Sequence, residues 1–227
     1  VYEIKQRVFE SNEKLADQLR ADLKREKTFL LNLMSSPGAG KTTICEQLLA
    51  ARPDMSRVVT CTTRPPRASE RDGVDYHFLD ADTFQQRIEA GHFIEHATVY
   101  GHRYGTLRAG VLDRLRADQD VLLNVDVQGA ATIRAQAAAD PELNRALISV
   151  FLTTPSLAEL ETRLRRRGTD AEAVIQKRLS VARQELAQWR QFDYLLISGT
   201  IPEDLRRMQA IIETEKMRSV RARPPEF

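Results

Sequence analysis

The stretch that decides the fold is TFLLNLM (residues 28–34) followed at once by SSPGAGKTT (residues 35–43). The first part is almost wholly apolar and of strand length, so it reads as a buried parallel strand. The second is a glycine-rich turn that opens a helical stretch. Gly38 and Gly40 let the backbone curl until successive N–H groups point at phosphate oxygens. The helix that follows directs its positive end at the same place. Strand, loop and helix in this order make a phosphate cradle of Ser36, Pro37, Gly38, Ala39, Gly40, Lys41, Thr42 and Thr43, suited to ATP. Lys41 is placed to bridge the β- and γ-phosphates, and the Thr42 hydroxyl to hold Mg²⁺. The motif's first glycine is replaced by Ser35, small enough to keep the loop while altering its first turn. The plain alternative, a strand–helix turn with no ligand, leaves Gly-Lys-Thr in this context unexplained.

Outward from the loop, apolar runs recur at 121–125, 148–152 and 194–197. Amphipathic helical stretches fall near 41–51, 107–117, 156–166, 171–190 and 203–218. Alternating strands and helices predict an α/β fold: a P-loop NTPase core with a parallel sheet covered by helices on both faces. The core is expected over 28–58 and 107–219. Residues 59–106 break the rhythm, with short strand-like pieces and one helix near 81–90, and read as an inserted subdomain. Residues 1–27 read as an amphipathic helix with Ile4, Val8, Leu15, Leu19 and Leu23 on one stripe. That stripe suits either packing on its own domain or a homodimer contact. The tail, 220–227, carries Pro224-Pro225 and is expected to be disordered.

Composition narrows the function. The chain has 227 residues, 42% hydrophobic and 29% charged, with a net charge of +2. Neither nucleic acid nor membrane is favoured as a partner by so small a net charge, and no apolar run is long enough to span a bilayer. Cys45 and Cys61 read as free thiols of a reducing, cytoplasmic setting. His92 and His96 flank an apolar pair and gather no further ligands, which argues against zinc.

The acceptor side is written in Thr60–Leu79, TCTTRPPRASERDGVDYHFL. Arg64 and Arg67, three apart on a proline-stiffened turn, suit a dianionic phosphate gripped from two sides. An exposed basic loop with surface ion pairs is the plain alternative. Thr62-Thr63-Arg64, then Arg67, Glu70, Gly73, Tyr76, Phe78 and Leu79, at these spacings, resemble the guanylate kinase family. The resemblance covers about 57–219. It implies a mobile GMP-binding domain set in a P-loop core, an arginine-bearing lid over about 155–183, and transfer of the γ-phosphoryl group of ATP to GMP. It implies Arg64, Arg67, Tyr76 and Tyr104 as ligands of the GMP phosphate. Thr60, Glu95 and Thr106 stand at positions that read guanine, with Gly105 between two acceptor-site neighbours. A carboxylate such as Glu95 accepts both N1–H and N2–H of guanine, and adenine cannot offer that pair. Glu70 is better placed to orient the arginines than to touch the base. Asp126 resembles the family's acid after a core strand, serving either the Mg²⁺ water shell or the acceptor ribose and base. Asn124 stands where the family commonly has an acid, and Ser198 where it often has Asn.

In the lid, RLRRRGTD and the later QKRL match at Arg163, Arg167 and Arg178. Arg165 and Arg166 read as solvated. Gly168-Thr169-Asp170 is expected to break one helix and cap the next. The reaction needs positioning and charge neutralisation more than acid–base chemistry, since the GMP phosphate is itself the nucleophile. Lys41, Arg163, Arg167 and Arg178 would supply that charge.

Residues 1–43 are similar instead to the nickel-insertion GTPases of hydrogenase maturation, which suggests a hybrid joined near the phosphate loop. The remainder has no Asn-Lys-x-Asp for guanine and no Cys/His cluster for nickel. A GTPase-like metallochaperone is thus one alternative function. A catalytically silent guanylate-kinase-like interaction domain is another; such domains usually lose the loop or lid cations that this chain keeps.

Overall fold

The computed structural model describes residues 28–36, 39–99, 101–166, 171–219 and 221. The helix expected over 1–27, Pro37, Gly38, Arg167 and the expected cap at 168–170 lie outside them.

Five parallel strands form the core sheet in the order β2-β7-β1-β8-β9: β1 (Leu30–Ser35), β2 (Met55–Arg57), β7 (Asp120–Leu123), β8 (Leu147–Thr153) and β9 (Tyr194–Ile197). The apolar run 28–34 leads into the central strand β1, all six of whose residues are buried. Alternation along β1 sends Leu30 and Met34 to one face and Leu31 and Leu33 to the other, each into its own hydrophobic cluster. Helices α1 (Lys41–Ala51) and α8 (Ile201–Lys216) close one face. On the other lie α3 (Arg108–Arg116) and α4 (Val127–Ala139), with the short α5 (Pro141–Ala146) after them.

Helices α4 and α5 were not foreseen. The stretch VQGAATIRAQAAA is so rich in alanine that its two faces hardly differ in polarity, and amphipathic periodicity misses it. Its start is nonetheless marked, because the Asp126 side chain accepts from Gly129 N at 2.8 Å, and Asp140 caps α5 in the same way.

Between β2 and α3 the chain builds a second sheet, β4-β3-β6-β5, from β3 (Thr60–Thr62), β4 (Tyr76–Phe78), β5 (Phe93–Val99) and β6 (His102–Leu107). Helix α2 (Ala81–Glu89) covers it, capped by Asp80. Its small core centres on Cys61, Phe84 and Phe93, the two rings stacked 4.6 Å apart. The sheet leans on the main body through β5, whose Ile94 is buried in the core cluster and whose Phe93 carbonyl accepts from Gln136 of α4.

Helices α6 (Leu157–Arg166) and α7 (Glu172–Leu186) pack together around Leu160, Leu164, Ile175, Leu179 and Ala182. Arg165, expected to be merely solvated, pairs with Glu161 on its own helix and Glu172 on the next. Helix α7 begins after Ala171, a position with no side-chain cap bond. Arg221 departs from the disordered tail expected of it: it is buried and donates to the carbonyls of Arg145 and Leu147.

Candidate active site

Both ends of the phosphate loop are fixed by β1 and α1. Ser36 N donates to Leu152 O at 3.1 Å, Ala39 N closes a turn on Ser36 O, and the Ser36 hydroxyl meets that of Thr153. Ser35, the residue standing for glycine, is buried at the strand end and its hydroxyl bonds to Ser36 O. Gly40 has φ +93°, a left-handed conformation that only glycine adopts without strain, and it serves as the N-cap of α1. It gives that cap no side-chain oxygen, so the first amides of α1 are left without a side-chain acceptor. Lys41 starts the helix, with Thr42 and Thr43 exposed beside it.

The Lys41 ammonium donates to Val125 O at 3.1 Å, just past the end of β7. Burial lowers its pKa, while Cys45, Glu185 and Asp126 act the other way. Glu185, on the core end of α7, is drawn into the site only by the tertiary fold. Its Oε2 is buried without a hydrogen-bond partner, and its pKa is pushed up to about 7, first by burial. No motif in the sequence marks it. Cys45 and Cys61 are free and buried, and burial pushes both thiols up to about 11.

Val125 is also part of the wall of a cavity of about 370 Å³ that lies between the second sheet and the end of β7. The other walls are Thr60, Tyr76, Glu95, Ala97, Val99, Tyr104, Asn124 and Asp126. Glu95 is 5% exposed, and its Oε1 accepts from the Thr106 hydroxyl at 2.6 Å. Its carboxyl is pushed up to about 7, chiefly by burial and further by the charge of Asp126, against the lowering effect of the Thr106 bond. Behind it stands Gly129: a Cβ there would lie 2.8 Å from Glu95 Oε2 and 3.1 Å from the Val125 Cβ.

At the cavity mouth, Arg64 makes a two-pronged ion pair with Glu70 (2.8 and 2.9 Å) and lies over the Tyr76 ring, 5.4 Å from its centre. Glu70 also accepts from Arg67 N, so one carboxylate fixes the whole turn, while the Arg67 side chain remains exposed. That pairing holds Glu70 well below and Arg64 above their ordinary pKa values. Tyr76 and Tyr104 meet edge to face at 6.1 Å. Gly105 sits differently from its neighbours. Strand alternation turns Tyr104 and Thr106 toward the cavity side and Gly105 toward the aromatic core, where a Cβ would lie 2.9 Å from Phe93 and 3.1 Å from Phe84. The missing side chain of Gly105 thus leaves room for the aromatic core of the second sheet.

On the lid side, Arg163 donates from Nε to Glu159 and from Nη1 to the Ser198 hydroxyl, each within 2.9 Å. Ser198 in turn donates to the fully buried Asp204. Arg178 lies half-buried on α7.

A glycine-capped loop, its lysine one hydrogen bond from the wall of a carboxylate-bearing cavity, and an arginine–tyrosine cluster at that cavity's mouth define a P-loop kinase of small phosphorylated acceptors. The guanylate kinase family model matches residues 27–215. The chain is 44% identical over 190 residues to the guanylate kinase of Sphingopyxis alaskensis, spanning 83% of this chain and 84% of that one. It is 42% identical over 199 residues to that of Zymomonas mobilis, spanning 87% and 89%. A crystal structure of guanylate kinase from Anaplasma phagocytophilum superposes with a TM-score of 0.67 at 28% identity, over 86% of this chain and 90% of that one. The chain belongs to the guanylate kinase family. The family match takes in β1 and the phosphate loop, and the comparisons lend the proposed hybrid no support.

Proposed function

We infer that the chain transfers the γ-phosphoryl group of ATP to GMP, giving ADP and GDP. One observation carries the reading: Val125 both lines the cavity that holds Glu95 and accepts the hydrogen bond of Lys41. Donor loop and acceptor cavity thus share a wall. Guanine fits the cavity because a buried carboxylate, once ionised, accepts from N1–H and N2–H together. Thr60, Thr106 and Asp126 surround the base and ribose. Arg64, Arg67, Tyr76 and Tyr104 take the GMP phosphate, with Glu70 holding Arg64 and the turn in place.

Ser36 to Thr43 cradle the ATP phosphates, and Lys41 leaves Val125 O for the β- and γ-oxygens. Thr42 would hold Mg²⁺: it is an exposed residue in the first turn of α1, and its hydroxyl oxygen suits that hard cation. Bound there, Mg²⁺ would neutralise charge on the β- and γ-oxygens. The acceptor subdomain, 59–106, and the lid, 155–183, close on the core of 28–58 and 107–219. Closure brings Arg163, Arg167 and Arg178 to the transferring group and excludes water. Arg163 must exchange its bond to Ser198 for one to phosphate. A non-bridging oxygen of the GMP phosphate attacks the γ-phosphorus, and ADP leaves with the bond's electron pair.

The test is a coupled assay with purified protein, ATP and either GMP or AMP, and a parallel assay of GTP hydrolysis. ADP release that requires GMP and is not given by AMP is expected. Inactivity with every nucleotide would support the silent interaction domain, and GTP hydrolysis alone the GTPase.

A further inference from the structure

A larger cavity, of about 450 Å³, opens at the opposite end of the core sheet. Leu147, where β8 begins, and Asp193, which precedes β9, are in its wall. In a parallel sheet these strand starts lie at the far edge from the phosphate loop and Val125, which follow strand ends. Four guanidinium groups line this cavity: Arg134, Arg145, Arg218 and Arg221.

Among the described residues, two carboxylates, Asp193 and Glu215, interact with this wall. Asp193 lines the cavity and accepts from both the amide and the hydroxyl of Ser149 at 2.7 Å. Glu215 is engaged by the Tyr194 hydroxyl, Arg218 and Arg221. Arg134 is the informative member. Its Nη2 donates to Gln191 and its guanidinium lies 4.9 Å from the centre of the Phe192 ring, but its Nη1 is buried without a hydrogen-bond partner. A cation with an unfilled donor, in a wall that gathers four guanidinium groups, is suited to an anion. The wall is also built rather than incidental, since Arg221 is tied to two backbone carbonyls at the base of β8. Arg218 and Arg221 follow residue 215, where the family match ends, so half of the cationic wall comes from outside the matched segment.

We propose that this basal cavity binds a small phosphorylated anion, separately from the two substrate grips. The full chain carrying Lys41→Ala and Arg64→Gln, which weaken both substrate grips, is titrated with inorganic pyrophosphate by calorimetry. One equivalent is expected to bind, with affinity falling as salt rises. Adding Arg218→Glu to that background should weaken binding at least tenfold; because Arg218 also pairs with the buried Glu215, the variant's circular dichroism spectrum and urea midpoint are measured beside the titration. Arg134→Gln should weaken it too, with the circular dichroism spectrum unchanged. Ribose 5-phosphate, run beside pyrophosphate, separates recognition of esterified phosphate from that of the free ion. Absence of binding in the doubly substituted background, or binding there that Arg218→Glu leaves unchanged, overturns the proposal.

Discussion

Glu95 gives the sharpest handle on the site. With its carboxyl pushed up to about 7, it is about half protonated at neutral pH. Only the ionised form accepts both guanine donors, so GMP binding must draw off that proton. For one such group the apparent KM scales as one plus the proton concentration over the acid constant. The KM should therefore rise about tenfold from pH 8 to pH 6 on this account alone. The GMP phosphate, with a second pKa of about 6, adds roughly another factor of two. Glu95→Gln keeps an acceptor for Thr106 but cannot titrate. The variant should bind GMP weakly at every pH and retain only the roughly twofold phosphate component. Initial-rate measurements of KM for GMP at fixed saturating ATP, for both proteins, read this directly. Calorimetry at pH 7 in buffers of different ionisation heat should show about half a proton released per GMP bound. Matching pH profiles for wild type and variant would refute the assignment.

The same shift has a stability consequence of opposite use. Because the folded pKa lies above the unfolded value of 4.5, the folded state holds the proton longer, and stability falls as pH rises from about 4.5 to about 7. The loss is on the order of 3 kcal/mol, and Glu95→Gln should flatten that part of a urea-denaturation profile. Gly129→Ala should push Glu95 Oε2 aside, raising the KM for GMP about tenfold while kcat changes less, as steady-state kinetics would show. Gly105→Ala meets two packed rings and should lower stability by about 1–3 kcal/mol in equilibrium unfolding, with little effect on GMP affinity per folded molecule. Lys41→Ala should reduce kcat by on the order of 10²-fold or more, because its charge is needed where negative charge collects in transfer; near-normal turnover would remove Lys41 from that role.

Much of this protein was legible in the linear chain. The run 28–34 had to be a buried strand because an apolar segment of strand length, followed at once by a glycine turn, satisfies its backbone only within a sheet. Gly40 and Lys41 announced the phosphate loop, since left-handed backbone and a cation at a helix start are local properties. The arginine turn at 64–70 was equally local, its parts lying within seven residues. Helices α4 and α5 escaped because an alanine-rich segment carries little polarity contrast, and only burial against the sheet defines its inner face. What required the tertiary structure was every relation between distant segments. The charge of Glu185 acts on Lys41 across 144 positions of sequence (185 against 41), Val125 joins the lysine to the acceptor wall, and Arg163 rests on Ser198. That Gly105 leaves room for Phe93 and Phe84 also shows only once the strands pair. Local sequence fixes backbone conformation and charge; burial, register and the shared wall of a cavity arise only when remote elements pack.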